Sequence, residues 1–257
     1  MKAAIVIPAR YGSTRLPGKI LLPLAGKPLI QHVHERAMRT TADCVIVATD
    51  DERIAQAVRG FGGDARMTRS SHASGSERVA EIAETLETDI IVNLQGDEPE
   101  IDPSHIDRLI ALQESAAPFA STLACRFPAT ARAGPGSPTD PAAVKVKLGA
   151  TIEPDVLAYA ADFYRNAPAC ERDAQGRVLN PAKYFLHVGV YAFFRNTLLR
   201  FARAPQGVRE RAERLEQLRI LDMGEKIAVA IVDHAAPGVD TEADYRAAAQ
   251  RLGGENS

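Results

Sequence analysis

Short apolar runs alternate along the chain with stretches in which apolar residues recur every three or four positions. Ala3 to Ile7, Cys44 to Ala48 and Ile90 to Leu94 are near-continuous apolar runs. Such runs predict strands covered on both faces, as in a parallel sheet. Between them, Leu29, Ile30, Val33 and Ala37 have helical spacing, as do Ile54 with Val58, and Val79, Ile82, Ala83 and Leu86. Asp50-Asp51 precedes the second of these helices and offers an N-cap. Asp102-Pro103 opens another, through Ile106, Leu109 and Ile110, with Pro at the first helical position. The β-α-β-α-β order predicts an α/β fold with a doubly wound, mostly parallel sheet.

The pattern changes after residue 118. Pro128, Gly134, Pro135, Gly136, Pro138 and Pro141 mark a loop over 128–142. Val144 to Leu148 and Val188 to Phe194 read as strands, with a stretch of mixed polar and aromatic residues, 153–184, between them. The expectation is one α/β domain over 1–257 carrying a smaller inserted mixed-sheet subdomain at 119–200. Leu215, Leu218 and Leu221 predict a helix, and Ile227 to Val232 a last strand. Thr241-Glu242-Ala243-Asp244 has capping-box spacing, with Asp at the third position, and opens a C-terminal helix. The tail, 253–257, is expected to fray.

Composition narrows the function classes. Hydrophobic residues make up 46% and charged residues 25% of 257, ordinary globular values. Against 33 Asp and Glu, 31 Lys and Arg leave a net charge of −2, so there is no general footprint for nucleic acid or an anionic membrane. No stretch approaches the roughly 20 apolar residues of a membrane span, and Met1 to Pro8 reads as a buried first strand, not a signal peptide. Cys44, Cys125 and Cys170 are widely spaced and form no metal or redox motif, which suits a reduced, cytoplasmic setting.

Candidate chemistry concentrates where the first strand ends. Pro8-Ala9-Arg10-Tyr11-Gly12-Ser13-Thr14-Arg15-Leu16-Pro17-Gly18-Lys19 puts three cations and two glycines on one loop. Open α/β sheets bind ligands at the carboxyl ends of their strands. Glycines there let the backbone approach phosphates, and cations neutralise them. The spacing is neither a Walker loop nor a dinucleotide fingerprint, and a solvated basic loop is the bland alternative. Gln95-Gly96-Asp97-Glu98-Pro99 ends the third apolar run; it suits a turn as well as a Mg²⁺ ligand. Val239-Asp240-Thr241 follows the last strand, with Thr241 the expected cap and Asp240 free to point elsewhere. Ser74-x-x-Glu77 has capping-box spacing, and a helix N-terminus there could also face a base or phosphate. His32 and His34 lie about 200° apart on a helix, which is no ligand pair. His187, among strand residues near Gly189 and Tyr191, is the histidine to keep.

Together these residues resemble the signature of the sugar-acid cytidylyltransferases, and most closely the 3-deoxy-manno-octulosonate (Kdo) cytidylyltransferase family. The resemblance rests on Arg10 to Lys19 with Gly26-Lys27-Pro28-Leu29-Ile30, on Val47 to Asp50, Met67 to Arg69, Ser74 to Arg78 and Val92 to Pro99. It continues through Val144-Lys145-Val146, His187 to Tyr191, Leu215 to Arg219, Gly224 to Ile227 and Val239 to Thr241. It implies a nucleotide-diphospho-sugar transferase-like fold and transfer of CMP from CTP to a sugar acid, with release of pyrophosphate. Arg10, Arg15, Lys19 and Asp97 would be catalytic. Pro8, Ala9, Arg10, Gly12, Ser13, Lys19, Ser74, Gly75, Arg78 and Gln95 would bind the nucleotide. Arg78, Arg165, His187, Tyr191, Glu213 and Gln217 would face the sugar acid, and Asp97 and Asp240 would hold Mg²⁺. The family also implies a homodimer built from the 119–200 region and a role in lipopolysaccharide or capsule assembly.

Two positions depart from the family pattern. A Tyr-Phe-Ser-Arg run becomes Phe163-Tyr164-Arg165-Asn166-Ala167-Pro168, without the Ser and with the Arg one residue nearer the Pro. A basic residue before the His-x-Gly-x-Tyr stretch becomes Leu186. Both belong to the sugar side. Kdo is therefore weighed against another acid acceptor, such as amino-Kdo, another nonulosonic-type acid or a phosphonate, and against a nucleotide-binding protein without catalysis.

Overall fold

A computed structural model describes residues 1–13, 15–153, 156–166 and 171–254. Thr14, Ala167, Pro168, Cys170 and the last three residues of the tail lie outside them. In chain order the strands are β1 (Ala3–Ala9), β2 (Pro23–Leu24), β3 (Lys27–Pro28), β4 (Cys44–Thr49), β5 (Asp64–Met67), β6 (Ile90–Asn93), β7 (Ala120–Arg126), β8 (Lys145–Glu153), β9 (Leu157–Tyr164), β10 (Phe185–Phe194) and β11 (Ile227–Val232). The α-helices are α1 (Leu29–Ala37), α2 (Glu52–Gly60), α3 (Gly75–Glu84), α4 (Pro103–Ala116), α5 (Arg195–Arg203), α6 (Val208–Glu213), α7 (Leu218–Asp222) and α8 (Glu242–Gly254). None is long and apolar enough to cross a membrane among the described residues.

The chain divides into two compact units. One comprises Met1–Ile110, Phe194–Ala202 and Ala236–Ser257, the other Ala111–Phe193 and Arg203–Ala235. In the first, strands run β5-β4-β1-β6, every neighbouring pair parallel. Ile5 lies opposite both Val45 and Val92, and all three are buried. Each such side chain contributes about 1.5–3 kcal/mol by leaving water. The predicted helical stripes are the buried faces: Leu29, Ile30, Val33 and Ala37 of α1, Ile54 and Val58 of α2, and Val79, Ile82 and Ala83 of α3. Asp51 caps α2 by accepting the Arg53 N–H, and Ser74 caps α3 by accepting that of Glu77. Because β1, β4 and β6 are parallel, the segments that follow Ala9, Thr49 and Asn93 all leave from one end of the sheet.

The second unit is a mixed sheet in the order β10-β7-β11-β9-β8. Only β7 and β11 are parallel to one another; the other pairings are antiparallel. The start of β10 also pairs with β8, through Phe185–Val146 and Leu186–Lys145, so the ladders close on themselves. The stretch left without an element at 153–184 contains β9, whose alanines blur the alternation of inward and outward residues. The helix predicted through Leu215 to Leu221 is broken. Arg214 takes a left-handed conformation (φ 54°) at the end of α6, and α7 starts only at Leu218. Between these short helices Glu210 and Arg219 form a buried ion pair.

Candidate active site

The loop after β1 folds over itself through Tyr11 and Gly18. The Tyr11 carbonyl accepts the N–H groups of Ser13 and Gly18 at 3.0 and 3.1 Å. Gly18 has φ 68°, and a Cβ there would lie 3.2 Å from the Tyr11 ring, so both backbone and space require glycine. Pro8, Arg10, Gly12, Ser13, Arg15 and Lys19 then line a cavity of about 360 Å³ with Ser74, Gly75, Gln95, Asp97 and Asp240. Gly96 forms part of its wall, and a Cβ there would come within 3.1 Å of the Pro8 carbonyl. Thus the loops after β1 and β6, the start of α3 and the approach to α8 meet in one place.

Lys19 is the centre of this cavity's electrostatics. Its Nζ donates to Asp97 Oδ2 at 2.6 Å, to the Val239 carbonyl at 2.9 Å and to Asp240 Oδ1 at 3.0 Å. An ammonium has three donors, so all are used. Burial alone would lower the Lys19 pKa, but Asp97 and Asp240 outweigh it, and the net shift is upward. Arg15 makes a second ion pair to Asp240, at 3.0 Å. Asp240 is held at the entry to α8, where Asp244 accepts its N–H and that of Thr241, while Thr241 Oγ1 accepts the Asp244 N–H. Glu98, half-buried next to Asp97, has its pKa pushed up to about 8, first by loss of water around its carboxyl and then by the charges of Asp97 and Asp240.

The remaining wall is polar and ordered by its neighbours. Arg10 Nη2 donates to the His72 carbonyl at 2.7 Å, which ties the basic loop to the segment entering α3. Gln95 Nε2 points to Asn93 Oδ1 at 3.5 Å, and Asn93 Nδ2 in turn donates to Ser76 Oγ at 3.1 Å. Ala9 is buried in β1 and does not line the cavity. Arg78 does not line it either. Its fully buried guanidinium pairs with Asp50 at 2.9 Å and donates to Thr68, which braces the ends of β4 and β5.

The residues expected to face a sugar acid, Arg78 apart, lie in the second unit. His187 Nε2 is 2.9 Å from Thr122 Oγ1, and that hydroxyl donates to the Val190 carbonyl at 2.8 Å. Nε2 must therefore carry the proton, which leaves Nδ1 as an acceptor. The ring packs edge-on to Phe163 (5.0 Å between centroids) and against Tyr191 (5.4 Å). Burial pushes the Tyr191 hydroxyl's pKa well up, with the charge of Glu216 adding to it. Gln217 is buried and Glu213 half-buried. Arg165 puts three of its five donors on the carbonyls of Glu213 (2.8 Å), Pro141 (3.2 Å) and Arg214 (3.3 Å), closing the C-terminal end of α6.

Desolvation lowers the His187 pKa from 6.5 to about 3. The imidazole is thus neutral across the physiological range. Between pH 6.5 and 3 the unfolded chain takes up this proton and the folded one does not. The contribution of His187 to stability is therefore complete above pH 6.5 and falls by about 1.4 kcal/mol per pH unit below it. The expected result is an NMR titration in which the His187 Hε1 shift stays flat from pH 8 to 5, where an exposed imidazole titrates; an inflection near pH 6 would refute its enclosure.

Comparison with known proteins identifies the family. Residues 4–227 match the model of a family described as cytidylyltransferase. The chain belongs to this family. It is 43% identical to the 3-deoxy-manno-octulosonate cytidylyltransferase of Escherichia coli over 244 residues, covering 94% of this chain and 92% of that one. It is equally identical to the enzyme of that name from Geotalea daltonii, over 98% of both chains. A solved structure described as CMP:2-keto-3-deoxy-manno-octonic acid synthetase complexed with CTP superposes with a TM-score of 0.86 at 40% identity, over 99% of this chain and all of that one.

Three residues of this cytidylyltransferase escaped the sequence reading. Asp50 stood out there as half of a capping pair and within the Val47 to Asp50 match, with no site role, but it is the partner of Arg78. Lys145 carries a fully buried side chain whose Nζ donates to the carbonyls of Asp140 (2.8 Å) and Arg165. Glu98 is the third carboxyl beside Asp97 and Asp240. A charged residue inside the apolar Val144-Lys145-Val146 run was the one available signal, since a lysine is buried only where acceptors meet it.

Proposed function

We propose that this cytidylyltransferase transfers CMP from CTP to 3-deoxy-D-manno-octulosonate, releasing pyrophosphate, and so activates the sugar acid for lipopolysaccharide or capsule assembly. One observation carries the reading. Two carboxylates, Asp97 and Asp240, converge on a single ammonium, within 3.0 Å, beside a loop that supplies Arg10 and Arg15 to the same cavity. A triphosphate with a divalent cation is the ligand that needs anionic and cationic side chains in one place. Family membership over nearly the whole chain names the nucleotide and the acceptor.

In the reaction the anomeric hydroxyl oxygen bonds to the α-phosphorus, the bond from that phosphorus to the bridging α–β oxygen breaks, and the hydroxyl proton is lost. The protein positions the groups and neutralises charge. Arg10, Arg15 and Lys19 meet the triphosphate oxygens, with the backbone of Gly12 and Ser13. Lys19 reaches them only by giving up part of its hold on Asp97 and Asp240, because its three donors are already used. Ser74, Gly75 and Gln95 take the cytosine side of the cavity. His187, Tyr191, Glu213 and Gln217 are assigned to the acceptor. Arg78, fully buried and outside the cavity lining, and Arg165, bonded to the carbonyls that end α6, act in this reading as braces.

The donor set fits magnesium. Asp97 and Asp240 offer hard oxygens directed at one point, and Mg²⁺ takes one or two carboxylates and fills its shell with phosphate oxygens and water. When bound it would supply positive charge against the phosphates, held by Asp97 and Asp240. Pairing of two copies through the 119–200 region belongs to the same reading, and the exposed Ile152 and Leu179 offer apolar surface there.

The test is pyrophosphate release from CTP and Mg²⁺ with Kdo as acceptor. Release that requires all three is the expected result. Tight CTP binding with release only from another sugar acid would move the acceptor to one of the analogues. Binding without release from any acid would make the protein a nucleotide binder.

A further inference from the structure

We infer that Tyr11 and Arg53 form a latch that holds the phosphate loop in its binding shape, and that Arg53, which does not line the cavity, is a positioning residue for nucleotide binding. The inference rests on the reading above only in naming CTP as the nucleotide.

Arg10, Gly12, Ser13, Arg15 and Lys19 line the cavity, whereas Tyr11 does not. Tyr11 instead joins the two ends of the loop. Its carbonyl takes the N–H groups of Ser13 and Gly18, and its ring covers Gly18, the residue that precedes Lys19. The Arg53 guanidinium lies over this ring, with Cζ 3.3 Å from the centroid. Arg53 is itself aimed by Asp51, through Nε to Oδ1 at 2.9 Å and Nη2 to Oδ2 at 2.6 Å. Asp51 is fixed in turn as the cap of α2, by the Arg53 N–H at 3.0 Å. A continuous line of contacts thus runs from the end of a rigid helix to the backbone beside Lys19. A planar guanidinium can stack on the ring and grip a carboxylate with two parallel bonds at once, whereas an ammonium cannot.

Arg53 is exposed and paired with a carboxylate of opposite charge. Its loss should therefore leave global stability unchanged and act on the loop alone. A stack at an exposed site corresponds to about a two- to fivefold change in an equilibrium. Loss of the Tyr11 ring also uncovers Gly18, and the expected change is about tenfold.

The test uses the full-length protein, calorimetric titration with inorganic tripolyphosphate, and the KM for CTP. Arg53→Ala and Arg53→Lys should both weaken tripolyphosphate binding and raise the KM for CTP about two- to fivefold, with kcat and the unfolding midpoint little changed. Tyr11→Phe should match the unsubstituted protein. Tyr11→Leu should lose about tenfold, and adding Arg53→Ala to it should cost nothing more, because the two act as one unit. The mutant-to-parent ratio should persist at raised salt, where a long-range charge effect fades. Full activity of Arg53→Lys, multiplying effects of the two substitutions, or a ratio abolished by salt would each overturn the latch. So would failure of the unsubstituted protein to bind tripolyphosphate. Tripolyphosphate binding without pyrophosphate release from CTP would instead sink the functional reading and leave the latch measured.

Discussion

Asp97→Asn is expected to lower turnover by a factor of about 10² to 10³ while leaving the fold intact. Asn has the same shape, and Asp97 follows β6 at the cavity wall, with 27% of its side chain exposed. The folded chain therefore loses no packing. What disappears is one of the two negative charges that converge on Lys19 and would hold the divalent cation. Removing one electrostatic group from a phosphoryl-transfer site is worth about 3–4 kcal/mol of barrier, by comparison with the loss of a single oxyanion donor. The measurement is kcat for pyrophosphate release at saturating CTP, acceptor and Mg²⁺, together with a urea unfolding curve. Turnover within a few-fold of the parent at saturating Mg²⁺ would remove Asp97 from the metal set.

Lys19→Met has the second large effect, and it falls on both binding and stability. The Met side chain is of similar length and fills the same space, but Asp97, Asp240 and the Val239 carbonyl lose their shared donor. Two half-exposed carboxylates then face each other, relieved only by Arg15 on Asp240. The expected loss of stability is about 1–3 kcal/mol. For the nucleotide, kcat/KM should fall by about a hundredfold, since a cation aimed at the phosphates is gone. The two carboxylates are also released for a metal. Millimolar Mg²⁺ without nucleotide should therefore raise the unfolding midpoint of Lys19→Met more than that of the parent, in which the ammonium already neutralises them. Equal responses of the two proteins to Mg²⁺ would show that Lys19 and the metal do not compete for Asp97 and Asp240.

These expectations depend on residues that differ in how plainly the sequence announced them. The basic loop was visible because glycines and cations at the end of an apolar run have few structural uses. Asp97 and Asp240 were visible through the resemblance; taken alone, each suited a turn or a helix entry. Arg78 and Arg165 were assigned to ligands, and the described fold uses both elsewhere. Arg78 is sealed between Asp50 and Thr68, and Arg165 caps the carbonyls at the end of α6. Residue type could not separate these uses, because a guanidinium grips a substrate carboxylate and a set of backbone carbonyls by the same geometry. The shift of Arg165 by one residue relative to the family was the only hint. The Tyr11–Arg53 stack had no sequence signal at all, since 41 residues, with β2, β3, α1 and β4 among them, separate its partners.

In the first unit, β2, β3, β5 and α5 were not legible in the sequence. The sequence by itself determined β1, β4 and β6, the helices α1 to α4 and α8, the caps of α2 and α3 and the parallel sense of the early strands, and it singled out the loop proposed to meet phosphate. Those properties depend on local periodicity and on side chains that bond within three or four residues, so they are written in adjacent positions. Only the tertiary structure decided which charges meet: that Lys19 spends all three donors on Asp97, Val239 and Asp240, that Arg78 belongs to Asp50, and that His187 is neutral. A charge's role depends on which opposite charge lies within about 4 Å and how much water remains around it. Lys19 and Asp240 are 221 residues apart along the chain; the packing of the fold, and nothing local to either, brings them together.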